Sequence, residues 1–267
     1  MSTESTADKS EYSYFQIQSI WGVTKHFGGL RVTEKLARLC HITAESYVLE
    51  VGSGVGFTAC HLAEKIGCRV MGVDLSGEML VWARNRAARK GLEDRCEFRV
   101  ADAQQLPFED DIFDAMLCES VTAFVPDKAR ALNEYRRVVR PGGWVGLNEG
   151  TWIKGEPPLD FLSFIRQAMG GVNFLHPDEW RVLLENTGLT EISTEVIKMS
   201  AIQQRMDEYQ GMDAQDWLQR TKAVGSVFGL YFKDAGFRKY VKTLIPSRKV
   251  MGEMFEYMGY GLYVGRV

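Results

Sequence analysis

From Tyr47 to Glu149 short apolar runs alternate with stretches of helical periodicity, the pattern of a parallel sheet whose strands are joined by helices. The predicted strands are Tyr47–Val51, which runs into a glycine cluster, Arg69–Val73, which ends at Asp74, and Phe98–Ala101, which ends at Asp102. Two more are Phe113–Leu117, ending at Cys118-Glu119, and Trp144–Leu147, ending at Asn148-Glu149. Between them the chain predicts a helix over Thr58–Ile66 stopped by Gly67 and a second over Gly77–Lys90, with Ser76 as N-cap and Gly91 as stop. A third, over Asp127–Arg140, ends at Pro141-Gly142-Gly143, because proline neither donates to the helix ladder nor clears the preceding carbonyl. Each crossover is long enough to make its flanking strands parallel.

Upstream, residues 1–46 hold Tyr12, Tyr14, Phe15, Trp21, His26 and Phe27 among helical-looking residues and predict an ordered helical flap. Downstream come a helix around Asp160–Met169, another over Pro177–Asn186 stopped by Gly188, and a strand-like Glu191–Met199. A long segment with helical periodicity, many aromatics and few turn signals follows, before a last strand-like Gly261–Gly265. The organisation expected is a flap (1–46), an α/β core (47–200), a helical insertion or lid (201–257) and a final core strand (258–267).

Composition adds exclusions. With 32 Lys and Arg against 35 Asp and Glu the net charge is −3, so nothing in the balance favours a polyanion, and nucleic acid is not an expected partner. The first ten residues are polar, and no stretch approaches the ~20 apolar residues of a membrane span. Five cysteines, with no pair at two-residue spacing, suggest neither a disulfide framework nor a metal knuckle. A cytoplasmic protein without a bound metal is expected.

The chemistry concentrates at Glu50-Val51-Gly52-Ser53-Gly54-Val55-Gly56, where the first strand turns into the first helix. Glycines suit a sharp turn and let a ligand approach bare backbone. The dinucleotide spacing G-x-G-x-x-G would need glycine at position 57, which is Phe57, so a nicotinamide oxidoreductase is the weaker reading. Asp74, 22 residues after Gly52, is placed to accept from both hydroxyls of a ribose, and Asp102, followed by Ala103, from an exocyclic amine.

These residues, with Leu106-Pro107-Phe108 and Arg140-Pro141-Gly142-Gly143, resemble the class I S-adenosylmethionine-dependent methyltransferases. The closest likeness is to the small-molecule branch, of the ubiquinone/menaquinone and sterol/tocopherol type. Trp21-Gly22-x-x-x-His26-Phe27-Gly28 is similar to a stretch that in such relatives closes over the methionine end of the cofactor and the acceptor. The resemblance implies a Rossmann-like, mostly parallel sheet with an antiparallel final strand, S-adenosyl-L-methionine as cofactor, and methyl transfer to a small-molecule acceptor. It also implies that Gly52, Ser53 and Gly54 lie against the methionine portion, that Asp74 holds the ribose, that Leu75 packs on the adenine, and that Asp102 and Ala103 read its amine edge. Glu50 and Gly56 belong to the same motif, Glu50 fixing the turn. A cofactor-binding regulatory protein without catalysis is the competing reading on the same fold.

Methyl transfer from a sulfonium is an in-line displacement with a good leaving group, so positioning and water exclusion matter most. A base is needed only for an alcohol, an acidic carbon or a protonated amine. Acceptor-side candidates are Tyr14, Trp21, His26, Glu119, Glu149, Trp152 and His176. Glu119, at the ligand edge of the fourth strand and also a candidate cofactor contact, orients a cationic acceptor, takes a proton, or simply caps a strand end. His26 is a base or a loop histidine. Tyr14 and Trp21 form an aromatic wall or pack the flap. His176 reads as a helix start and Cys118 as a buried strand residue. The basic and aromatic stripe Tyr231–Lys249 reads as a solvated face over a packed one, with peripheral membrane contact as the less favoured alternative.

Overall fold

Strand β1 (Tyr47–Val51) is buried from Val48 onward, which is why its residues run apolar without alternation. A computed structural model describes residues 14, 15, 18, 26–200, 207 and 211–267, with Gln219 by its backbone alone. The remaining strands are β2 (Arg69–Asp74), β3 (Cys96–Val100), β4 (Phe113–Glu119), β5 (Val139–Trp152), β6 (Thr190–Lys198) and β7 (Met258–Arg266). They form one sheet in the order β3-β2-β1-β4-β5-β7-β6, parallel except for β7, which runs antiparallel between β5 and β6.

The helices are α1 (Gly29–Leu39), α2 (Phe57–Lys65), α3 (Gly77–Lys90), α4 (Lys128–Val138), α5 (Leu159–Met169), α6 (Pro177–Asn186), α7 (Ala214–Lys233), α8 (Ala235–Thr243) and α9 (Arg248–Tyr257). Leu36, Leu49, Met116, Leu117, Trp180 and Tyr263 are buried in the core between helices and sheet. Helix α1 lies close on β5 because Gly146 has no side chain; a Cβ there would run into Cys40 Sγ and Leu36. None of the described helices is long and apolar enough to cross a membrane.

The predicted caps hold. Ser76 Oγ accepts from Met79 N at 3.2 Å and Gly91 closes α3 at φ 64°. Asp127 caps α4, but that helix stops at Val138 rather than Arg140. Val139 already pairs with Phe113, and the register then slips so that Trp144 meets Ala115. Residues 140–143 bulge out between the two pairings, since Pro141 has no N–H for the ladder. Five strands are longer than expected, β2 and β4 by the residues that close them. β3 starts at Cys96, which pairs with Val70, while β5 reaches Trp152 and β7 begins at Met258 because these two pair antiparallel from Trp144↔Arg266 to Trp152↔Met258.

Candidate functional site

The chain builds β1, β2 and β3 outward, then returns to the other side of β1 with β4, so the order reverses between β1 and β4. Open α/β sheets bind ligands beyond the carboxyl ends of their strands at such a reversal. The loops leaving β1 and β4 meet here. Gly52 has φ +78°, and an added Cβ would overlap Val121 Cγ2, so glycine alone permits the approach.

A cavity of 1190 Å³ opens over the junction. Its wall brings together Glu50 in β1 with Gly52, Ser53 and Gly54 after it, Asp74 at the end of β2 with Leu75 after it, Asp102 and Ala103 after β3, Glu119 at the end of β4, and Tyr14 and His26 from the N-terminal segment. Gly56 is not on that wall. It caps α2 at φ +72°, and a Cβ there would press on Ala83 of α3, so its part is helix packing. Trp21, Gly22 and Tyr12 lie outside the described residues.

Asp74 holds the glycine turn directly, with Oδ2 accepting from Gly54 N at 2.8 Å and Oδ1 from Ser76 N at 2.9 Å. Burial pushes its carboxyl up in spite of these donors. Asp102 Oδ1 accepts from Gln104 N at 2.8 Å, and Leu75, 73% exposed, offers an open apolar face at the rim. Glu50 is buried, and burial, then the nearby Glu119 carboxylate, raises its pKa well above the usual range. Glu50 Oε2 and Ser53 Oγ are buried without a hydrogen-bond partner.

Toward β5 and β7 the wall turns apolar, through Ile165, Met169, Phe174, Met254, Phe255 and Met258. Tyr14 stacks on Phe124 at 5.7 Å between ring centres, and burial pushes its phenol up to about 12, so it is a neutral wall residue at physiological pH. Between the two halves sits a polar cluster around Glu119. Its Oε1 accepts from Thr33 Oγ1 at 2.8 Å and Thr58 Oγ1 at 3.3 Å, and its Oε2 from Asn148 Nδ2 at 3.0 Å. His26 Nε2 lies 3.0 Å from Thr33 Oγ1 and 3.7 Å from Glu119 Oε2.

Sequence reasoning missed Thr33, Thr58 and Asn148. Thr33 and Thr58 look like ordinary helical polar residues, and only burial marks them; Asn148, a polar residue closing an apolar strand, carried a usable signal. Glu149 is also on the wall, accepting from Val121 N at 3.1 Å, Thr122 N at 2.7 Å and Ala123 N at 3.2 Å. It therefore fixes the loop that meets Gly52, and burial raises its carboxyl to about 7. Trp152 packs in the core against Phe161 and Phe174, His176 starts α6, and Cys118 is buried in β4 beside Thr122.

Residues 49–147 match the family described as "Methyltransferase domain". This part of the chain is a methyltransferase domain. Methyltransferase GfsG of Streptomyces halstedii is 43% identical to it over 119 residues, 45% of this chain and 43% of that protein. The chain thus spans less than half the length of that relative. The 27-O-demethylrifamycin SV methyltransferase of Amycolatopsis mediterranei is 27% identical over 193 residues, 67% of this chain and 71% of that one. Its fold is similar to Haemonchus contortus phosphoethanolamine N-methyltransferase 2, solved with S-adenosyl-L-methionine. The TM-score is 0.69 at 20% identity, over 97% of this chain and 58% of that one.

Proposed function

We propose that this protein transfers a methyl group from S-adenosyl-L-methionine to a small, largely apolar acceptor, in the cytoplasm. The observation that carries the reading is the cavity at the β1/β4 reversal, where acids after β2 and β3 and unpartnered buried polar atoms after β1 face one space. The residues fit the cofactor. Glu50 Oε2 and Ser53 Oγ offer unused hydrogen-bonding capacity to an amino acid moiety, and each Asp74 oxygen, holding one backbone N–H, keeps a lone pair for a ribose hydroxyl. Asp102 and Ala103 suit an adenine edge, with Leu75 against its face. When bound, the cofactor supplies an electrophilic methyl on sulfur.

What the chain itself does is position, exclude water and accept a proton. The apolar wall of α5, α9 and Phe174 holds the acceptor, with Tyr14 and Phe124 as an aromatic side. Thr33 has one hydroxyl proton, and a carboxylate cannot donate, so the bond to Glu119 uses it. His26 Nε2 must then donate to Thr33, which leaves Nδ1 as the basic atom. Glu119, near the ring, steadies the imidazolium formed when a hydroxyl or acidic carbon gives up its proton. The free, buried state of all five cysteines supports a reducing compartment.

The test is isothermal titration with S-adenosylmethionine, followed by incubation of extracts with labelled donor and mass spectrometry. Binding and a labelled product are expected, and Asp74→Ala weakens cofactor affinity at least tenfold. No binding by the folded protein overturns the reading, and tight binding with no acceptor labelled favours a regulatory cofactor-binding role.

A further inference from the structure

Helix α7 is 20 residues long, yet among its described side chains only Asp216 is buried. Isolated helices are marginal in water, and those in proteins owe their stability mainly to a buried apolar face. This helix leaves its apolar residues outside. Val224, Phe228 and Phe232 follow one another at four-residue spacing, 49%, 65% and 64% exposed, with Leu218 at 50% alongside. The rings of Phe228 and Phe232 meet edge to face at 4.8 Å, and Ile245, beyond α8, is 69% exposed. The packed face expected for this stripe exists only on α8, where Phe237 and Tyr240 are buried.

Charge says what covers the ridge. Residues 217–249 carry eight Lys and Arg against one acid, Asp234, in a chain whose net charge is −3. Lys222 and Lys233 lie to one side of the ridge on α7 and are exposed, and Lys242 follows on α8. Arg238 closes the C-terminus of α7, donating to the carbonyls of Tyr231 and Phe232 at 3.1 and 2.9 Å. Lys249 is turned back to the protein, paired with Asp160 and with Glu253, and Arg220 and Lys239 also have partners within the chain. An aromatic ridge bordered by cations matches an anionic lipid surface, which takes the rings at its headgroup level and attracts each lysine or arginine by about 1 kcal/mol. A second copy fits poorly, because a two-fold contact sets the same positive patch against itself.

We propose that α7 and α8 form a peripheral docking surface for membranes containing anionic lipids. The surface needs no turnover, so it stands or falls separately from the methyl-transfer reading. The experiment is co-sedimentation of the full chain with phosphatidylcholine vesicles, with and without phosphatidylglycerol, across a range of salt concentrations. Binding is expected with phosphatidylglycerol alone, declining as salt rises. Lys222→Gln and Lys233→Gln are each expected to lower the partition coefficient about fivefold. Phe228→Ser with Phe232→Ser is expected to abolish binding while leaving the thermal midpoint of the core in place. Failure to sediment with phosphatidylglycerol vesicles at low salt overturns the proposal. So does a stable dimer, seen by light scattering, that dissociates on Phe228→Ser, since the ridge would then serve self-association.

Discussion

A hydroxyl has one proton to give, and at Thr33 that fact chooses the basic atom of His26. The cluster is built so that Glu119 is held by three donors, Thr33, Thr58 and Asn148, leaving the carboxylate no freedom to swing while the imidazole works. His26→Asn keeps a polar side chain but removes the ring nitrogen that takes the proton. For a hydroxyl acceptor found by the labelled-donor screen, kcat is expected to fall about 10²- to 10⁴-fold. Cofactor affinity should stay within about twofold, because His26 is not among the residues assigned to the nucleoside. Steady-state kinetics over pH with parallel titrations check this, and an unchanged kcat would assign His26 to packing. Both ends of this pair were legible in the sequence, Glu119 from its place at a strand end and His26 from its motif. Thr33 between them was not, since one buried threonine on an amphipathic helix leaves no mark in a linear pattern.

At the scale of elements, local signals read well and long-range ones did not. Ser76 and Gly91 mark helix ends because a cap is a contact within three or four residues. The start of β3 and the length of β5 and β7 depend on partner strands far along the chain, which no local window contains. The same holds for the attachment of α7. Arg86, buried on α3, forks onto Asp216 at 3.2 and 2.8 Å, donates to Val55 O at 3.2 Å, and lies over the Phe57 ring. Both side chains of the pair are almost fully enclosed, at 7% and 3% exposure. Removing one partner of a buried pair costs up to about 3 to 5 kcal/mol, and Arg89, 3.4 Å from Asp216, keeps part of that when Arg86 is lost. Because the rest of α7 buries so little, that cost is expected to appear as detachment of the helix rather than as global unfolding. Arg86→Leu should therefore speed proteolytic cleavage between residues 211 and 234 at least tenfold while the main thermal transition moves by only a few degrees. Uniform destabilisation without selective cleavage would make the pair an ordinary part of the core.

Across the described residues two groups of acids are shifted in opposite directions. Glu64 and Glu134, with cationic partners at the surface, are shifted down, so their contributions change only below the ordinary carboxylate range. Glu50, Asp74 and Glu149, buried beneath the cavity, are shifted up by desolvation. Glu149 goes from 4.5 to about 7, so between those values the folded protein holds a proton that the unfolded chain has released. Stability then falls as pH rises through this window and levels off above it, the reverse of the usual salt-bridged carboxylate. The shift corresponds to about 3 kcal/mol. Glu149→Gln keeps an acceptor for the amides of Val121 and Thr122 but cannot ionise, so it isolates the effect. In urea titrations from pH 4.5 to 8, the wild-type unfolding free energy is expected to decline relative to the variant by roughly that amount, most of it below pH 7. Parallel curves would mean that the three amides at the 121–123 loop fully compensate the burial of this charge. The loop that Glu149 holds is the one that meets Gly52 at the cavity.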